Sequence, residues 1–176
     1  MRSGGERSAP ALCASRAAIG ELYDDYAYLL DEGDDDGWLA LFSADADYMV
    51  FARENWLRGL PLATLRCDSR EMLADRLEAI RNTQFFATRT MRHFVSAVRP
   101  ASGDGSDGSD GSDNADVATV TANFLVTEVI ADEPARVHSV GQYRDVVVLA
   151  GGRLRFLHKV AVYDAPLVLN SLVIPL

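Results

Sequence analysis

Few side chains in this sequence could do chemistry. Among its 176 residues are three histidines, His93, His138 and His158, and two cysteines, Cys13 and Cys67. No histidine belongs to a short ligand pair such as H-x-H or H-E-x-x-H, which would set two donors on one metal ion. An iron–sulfur cluster needs several cysteines or paired Cys/His ligands, and a mononuclear iron centre needs two histidines and a carboxylate. No local motif provides either, so no residue is singled out as a metal or cofactor ligand. Cys13 and Cys67 are not metal-spaced and are too few for a disulfide framework. They suit a reducing cytoplasm, although spacing alone leaves a bond between them open.

Acid–base chemistry is the remaining option. His158 alternates in phase with Leu154, Phe156, Val160 and Val162, which points it toward a core or pocket. His93 alternates with Met91, Val95 and Ala97. Either histidine, with a carboxylate such as Asp31 and a tyrosine such as Tyr48, could move a proton inside a closed cavity. The commoner role for such a residue is a core histidine satisfied by hydrogen bonds. Arg89 and Arg92, flanking His93, could hold a substrate carboxylate. They could equally pair with acidic groups of this chain or a partner, and pairing is the expectation. The run Asp34-Asp35-Asp36 lacks the alternating ligands and distal Glu of a calcium loop, so it reads as helix capping and a solvated face.

The elements that would position these residues follow from periodicity. Ser15 can cap a helix to about Asp31, with Ile19, Leu22, Tyr23, Tyr26, Leu29 and Leu30 on one stripe and Gly33 as its stop. A short helix carrying Trp38, Leu41 and Phe42 follows, then a strand over 45–51. Residues 53–67 read as irregular. Asp68 and Glu71 have capping-box spacing for a helix to about Gln84. Strands are expected over 91–98, 117–130, 136–149 and 153–164, with a hairpin turn at Ala150-Gly151-Gly152. The tract GDGSDGSDGSDN at 103–114 has nothing to bury and reads as a disordered loop insertion. Residues 1–14 read as a flexible lead-in, and 15–176 as one domain. The apolar tail 167–176 must pack on its own sheet or under another subunit. Helices followed by long strands imply an α+β layer, with helices on a strongly curved, mostly antiparallel sheet.

Charge narrows the partners. Asp and Glu outnumber Lys and Arg by 26 to 17, giving a net charge of −9. Such a surface repels phosphate backbones and anionic lipid, which argues against nucleic acid and membrane surfaces. No apolar run approaches the ~20 residues of a membrane span.

Four stretches carry a family resemblance. The first comprises Tyr28-Leu-Leu-Asp31, Trp38-Leu-Ala-Leu-Phe42 and Asp45-Ala-Asp-Tyr48. The second is Cys67-Asp-Ser-Arg-Glu-Met-Leu-Ala-Asp-Arg76. The third and most specific is Arg89-Thr-Met-Arg-His-Phe-Val-Ser-Ala-Val-Arg99. The last is Lys159-Val-Ala-Val-Tyr-Asp-Ala-Pro-Leu-Val-Leu-Asn-Ser-Leu172. From about residue 16 onward the chain resembles the β (small) subunits of Rieske-type aromatic-ring-hydroxylating dioxygenases, members of the cone-shaped NTF2-like (cystatin-like) superfamily. Two departures are Ala97, where many members have Asn, and the longer loop at 103–114.

The resemblance implies an NTF2-like cone and a non-catalytic role in the breakdown of aromatic compounds. It implies an α3β3 hexamer in which the β subunits form a trimeric base. The partner α subunit would carry the Rieske [2Fe-2S] cluster and a mononuclear Fe(II), with no cofactor in this chain. It also implies no catalytic, cofactor-binding or metal residue here. The alternatives are a stand-alone dehydratase or isomerase of the same superfamily, using His93 or His158 with Asp31 and Tyr48, and a binding protein that uses the cavity without chemistry.

Overall fold

The computed structural model describes residues 15–83, 89–101, 117–165 and 175–176. The lead-in 1–14 with Cys13, the tract 103–114 and the tail up to Ile174 lie outside the described residues. Helix α1 (Arg16–Glu32) begins where expected: the Ser15 hydroxyl accepts from the Ala18 N–H at 3.1 Å. It stops at Gly33, whose φ of 70° is open to glycine at little steric cost. Asp34 then caps α2 (Asp35–Ala40) by accepting from the Gly37 N–H at 2.9 Å. Strand β1 (Phe42–Ala52) starts three residues earlier than expected.

The stretch read as irregular contains two short elements, α3 (Arg53–Leu57) and β2 (Leu65–Cys67). Their apolar signal is too short for a periodicity test, but they have a job. The outer face of the sheet carries a small second cluster of Phe51, Val160 and Val162, and Trp56 of α3 packs its ring 5.5 Å from that of Phe51. Helix α4 (Arg70–Thr83) begins one residue later than the capping box implied. Ser69, not Asp68, presents the capping oxygen, accepting from the Met72 N–H at 3.3 Å, while Asp68 pairs with Arg66.

The remaining strands are β3 (Arg89–Pro100), β4 (Val117–Ile130), β5 (Arg136–Ala150) and β6 (Arg153–Tyr163). They form one six-stranded sheet in the order β2-β1-β6-β5-β4-β3. Every neighbouring pair is antiparallel except β1–β6. Gly151 and Gly152 close the β5–β6 hairpin with φ of 60° and 76°, the backbone a two-residue hairpin turn demands. Each of the four long ladders has a register break. Bulges of this kind bend a strand and raise its twist, so the sheet curls around α1, which packs across β3 and β6. The core lies inside this curl: Ile19, Tyr23 and Tyr26 of α1 meet Phe124, Tyr143 and Phe156 of the sheet.

One bulge corrects a sequence expectation. Val146 of β5 faces His158, whereas Val147 faces Phe156, so Leu157 has no partner on β5. A one-residue slip exchanges the faces of a strand. Phe156 points inward before the slip; after it, Lys159, Ala161 and Tyr163 do. His158 is turned to the outer face, where its half-exposed ring lies 3.0 Å from Asp47.

Two backbone positions give stability tests. Gly141 of β5 faces Tyr163, and a Cβ there would come within 2.1 Å of the Val162 carbonyl oxygen. Gly141→Ala should destabilise the fold by about 1–3 kcal/mol, the cost of overpacking, measured by urea unfolding. Ala97 sits at the β3 bulge with φ of 52°, a region that is strained for alanine and tolerated by asparagine. Ala97→Asn should raise stability by about 0.5–1 kcal/mol, seen as a higher Tm; an unchanged Tm would mean the bulge relaxes around either residue.

Candidate functional site

The inside of the cone is aromatic and fully enclosed. Trp38, Phe42, Tyr48, Tyr143 and Phe156 are buried there beside Tyr23 and Tyr26. Their rings contact one another edge-on or stacked, as in the Trp38–Phe42 and Phe124–Tyr143 pairs, each 4.7 Å between centroids. Periodicity anticipates an apolar interior, but not the two charges inside it.

Lys159 and Asp145 have no exposed surface. The Lys159 ammonium donates to Asp145 Oδ2 at 3.0 Å and lies 3.0 Å from the centre of the Tyr143 ring, with Tyr26 also within reach at 4.6 Å. Aromatic faces attract a cation when water is excluded. Asp145 is also served by the Tyr23 hydroxyl, on Oδ2, and by the Val160 N–H at 2.9 Å, on Oδ1. Burial pushes the lysine down to about 8 while Asp145 opposes the shift, and burial pushes the Asp145 carboxyl upward against the pull of Lys159. Both groups move toward their neutral forms because desolvation outweighs pairing.

A second polar cluster forms at the inner surface of α1 and β3. His93 Nδ1 is 2.8 Å from Asp31 Oδ1, which also accepts the His93 backbone N–H at 3.0 Å. The other ring nitrogen, Nε2, is 3.3 Å from the Pro175 carbonyl oxygen. Next to it, the Tyr26 hydroxyl donates to the main-chain oxygen of Leu176 at 2.5 Å. The Tyr48 hydroxyl accepts the Leu176 N–H at 2.8 Å and lies 3.2 Å from the same oxygen. Burial raises both phenols above their ordinary range, which keeps their hydroxyls as neutral donors.

The structure therefore brings together Asp31, His93 and Tyr48, three of the residues singled out for proton transfer. His158 is not among them. His138, the extra residue of the β4–β5 bulge, is buried. An imidazole oriented by a carboxylate can act as a general base through its free nitrogen. Here that nitrogen lies 3.3 Å from the Pro175 carbonyl oxygen, so a main-chain group occupies the position a substrate proton would need. Arg89 and Arg92 pair within the chain, Arg89 with the buried Glu128 at 3.5 Å and Arg92 with Glu32 at 3.5 Å. Arg136 completes the cover of Glu128 at 2.9 Å.

Sequence reasoning missed Lys159, Asp145, Tyr23 and Tyr26 as one network. The available signal was a lysine and an aspartate, each within a β-branched strand. Among the described residues, no group of three or more His, Cys, Asp or Glu side chains is placed to hold a metal ion. Cys67 is a buried free thiol.

A curved sheet wrapped on helices around an aromatic cone is the NTF2-like architecture, and the chain belongs to the SnoaL-like domain family, whose model matches residues 12–160. Within it, the chain is a member of the β-subunit family of aromatic-ring-hydroxylating dioxygenases. It is 27% identical over 156 residues to the anthranilate 1,2-dioxygenase small subunit of Burkholderia cepacia, covering 88% of this chain and 90% of that one. It is 31% identical to a solved β subunit assigned to an aromatic-ring-hydroxylating dioxygenase of Novosphingobium aromaticivorans. That match has a TM-score of 0.76 and covers 92% of this chain and 96% of the other. A chain from the same organism assigned as a scytalone dehydratase shares the fold at 22% identity, with a TM-score of 0.62 over 85% of this chain and 83% of that one.

The ion pair can be tested directly. Lys159→Met leaves a buried carboxylate without its cation and should cost about 3–5 kcal/mol. Adding Asp145→Asn should recover most of that loss. A double-mutant cycle from chemical unfolding reads the coupling, and additive losses would show that the two groups act separately.

Proposed function

We propose that this chain is the non-catalytic β subunit of an aromatic-ring-hydroxylating dioxygenase, assembling with and stabilising a larger α subunit. The observation that carries the reading is the end-to-end match to a β subunit at 31% identity. In this reading the α subunit holds the Rieske [2Fe-2S] cluster and the mononuclear Fe(II). The assembly is a cytoplasmic α3β3 hexamer whose β subunits contact one another as a trimer. This chain adds no catalytic, cofactor-binding or metal residue. Nucleic acid and membrane have no part in it; no helix among the described residues is long and apolar enough to cross a membrane.

The outer sheet face supports a subunit role. Phe94, Leu125 and Val140 lie side by side across β3, β4 and β5. Phe94 is 56% exposed and Val140 41%. A contiguous apolar row of this kind marks an interaction surface rather than a solvated one. A second reading, a stand-alone dehydratase or isomerase, draws on the His93–Asp31 pair and Tyr48 in the cone. Against it stand the Pro175 carbonyl on His93 Nε2 and the Leu176 backbone on Tyr48.

Co-expression with an α-type subunit encoded beside it, followed by light scattering and iron analysis, separates the two. A coloured, iron-containing complex with equal subunit numbers is expected, and Phe94→Asp with Val140→Asp should weaken it at least about tenfold through burial of unpaired charge. A colourless assembly of this chain alone would overturn the subunit reading. Turnover lost in His93→Ala would then establish the second.

A further inference from the structure

We propose that a cleft outside the cone, between α1, α2 and the β5–β6 hairpin, binds a small dipolar compound with an amine at one end, a carboxylate at the other and an apolar body between them. The cleft has a volume of about 640 Å³, within the range of small-molecule sites. None of the cone's aromatic rings lines it, and neither does Pro175 or Leu176. Its apolar lining is Leu22, Leu41, Leu149 and Leu154. Where α1 and α2 border the opening, Ala18, Gly37 and Ala40 are too small to fill it. Burial of a hydrocarbon body against these leucines would provide the affinity.

The charges on its rim give the ligand its two ends. Glu21 and Asp25 lie one turn apart on α1, so both carboxylates project from one helix face. Arg153 and Arg155 border the same cleft from β6. Among the described residues none of these four side chains has an ion-pair partner. Elsewhere the chain closes such pairs, as between Arg53 and Asp164 at 3.2 Å and between Arg81 and Asp35 at 2.8 Å. Opposite charges left apart around an apolar lining match a molecule whose ends are charged and whose middle is not. Arg155 is also held in place before any ligand arrives. Its Nη1 donates to the Ala40 and Phe42 carbonyl oxygens at 2.9 and 3.3 Å, which leaves Nη2 and Nε for a carboxylate. The amine end then faces Glu21 and Asp25. The cleft shares no residue with the row Phe94, Leu125 and Val140, so subunit assembly and this inference can fail separately.

The test titrates the full chain with 6-aminohexanoate, hexanoate and hexylamine, which share an apolar body and differ in their ends. Binding is read from the NMR shifts of the Gly152 and Leu154 amides. The dipolar probe should bind with a Kd of about 1 mM or tighter. It should bind at least about threefold more tightly than either single-charge probe, the worth of one exposed ion pair. Arg153→Gln should weaken 6-aminohexanoate and hexanoate about threefold and leave hexylamine unchanged. Glu21→Gln with Asp25→Asn should weaken 6-aminohexanoate and hexylamine and leave hexanoate unchanged. All three positions are exposed, so the variants should keep their circular dichroism. The absence of saturable shifts up to about ten times the expected Kd overturns the proposal. Equal binding of the three probes, or losses that do not follow the charge of the end group, overturns it as well.

Discussion

A lysine with no solvent contact is the constraint around which the interior is organised. Lys159 cannot sit in an aromatic core without an anion, because desolvating an ammonium costs several kcal/mol even after relaxation. Asp145 provides the anion from the neighbouring strand, and Tyr23 and the Val160 amide satisfy the carboxylate. Tyr143 gives the ammonium a ring face in place of water. These contacts tie three elements together: Lys159 and Val160 are in β6, Tyr143 and Asp145 in β5, and Tyr23 in α1. Helix and sheet thus lock together through one buried charge pair rather than through apolar area alone. Such a pair adds little net stability compared with a well-packed apolar substitute, but it penalises arrangements that leave either charge alone. Its natural consequence is one register for β6 against β5.

That register is also what the bulge at Leu157 makes possible. Without the extra residue, strict alternation along β6 would send Lys159 outward together with Leu157 and put His158 inside. With it, the histidine goes to Asp47 on the outer face and the lysine enters the cone. The resulting interior differs in kind from an acid–base pocket. Lys159 and Asp145 pair with each other, His93, Tyr26 and Tyr48 are turned onto backbone atoms of Pro175 and Leu176, and Trp38 Nε1 and the Tyr143 hydroxyl have no hydrogen-bond partner among the described residues. The geometry that would serve proton transfer is present in Asp31 and His93, but the space a substrate would need is filled by the chain itself.

How far the sequence reveals this depends on the kind of signal. The stripe Ile19-Leu22-Tyr23-Tyr26 is legible because a helix averages its pattern over several turns, and Ser15 and Gly33 mark its ends by chemistry that is local. The alternation Val120-Ala122-Phe124-Val126 is legible for the same reason, and all four are buried. The His93–Asp31 pairing is legible only as a possibility, since 62 residues separate the two and nothing local requires their contact. The inversion of His158 and Lys159 is not legible from alternation. A bulge is one residue long and shifts the phase of everything after it, so a reading that assumes an unbroken period two is right up to Phe156 and reversed beyond it.

The two faces of the sheet then divide the labour. Inside, Lys159 pairs with Asp145 and His93 with Asp31, and Leu176 packs among the aromatic rings. Outside, Phe94, Leu125 and Val140 form a row across β3, β4 and β5 in which Phe94 and Val140 are exposed among the described residues. The reactive-looking residues His93 and Tyr48 are thus turned inward onto backbone atoms of Pro175 and Leu176, while apolar side chains of β3 and β5 face outward, and this asymmetry lies in side-chain placement rather than in topology.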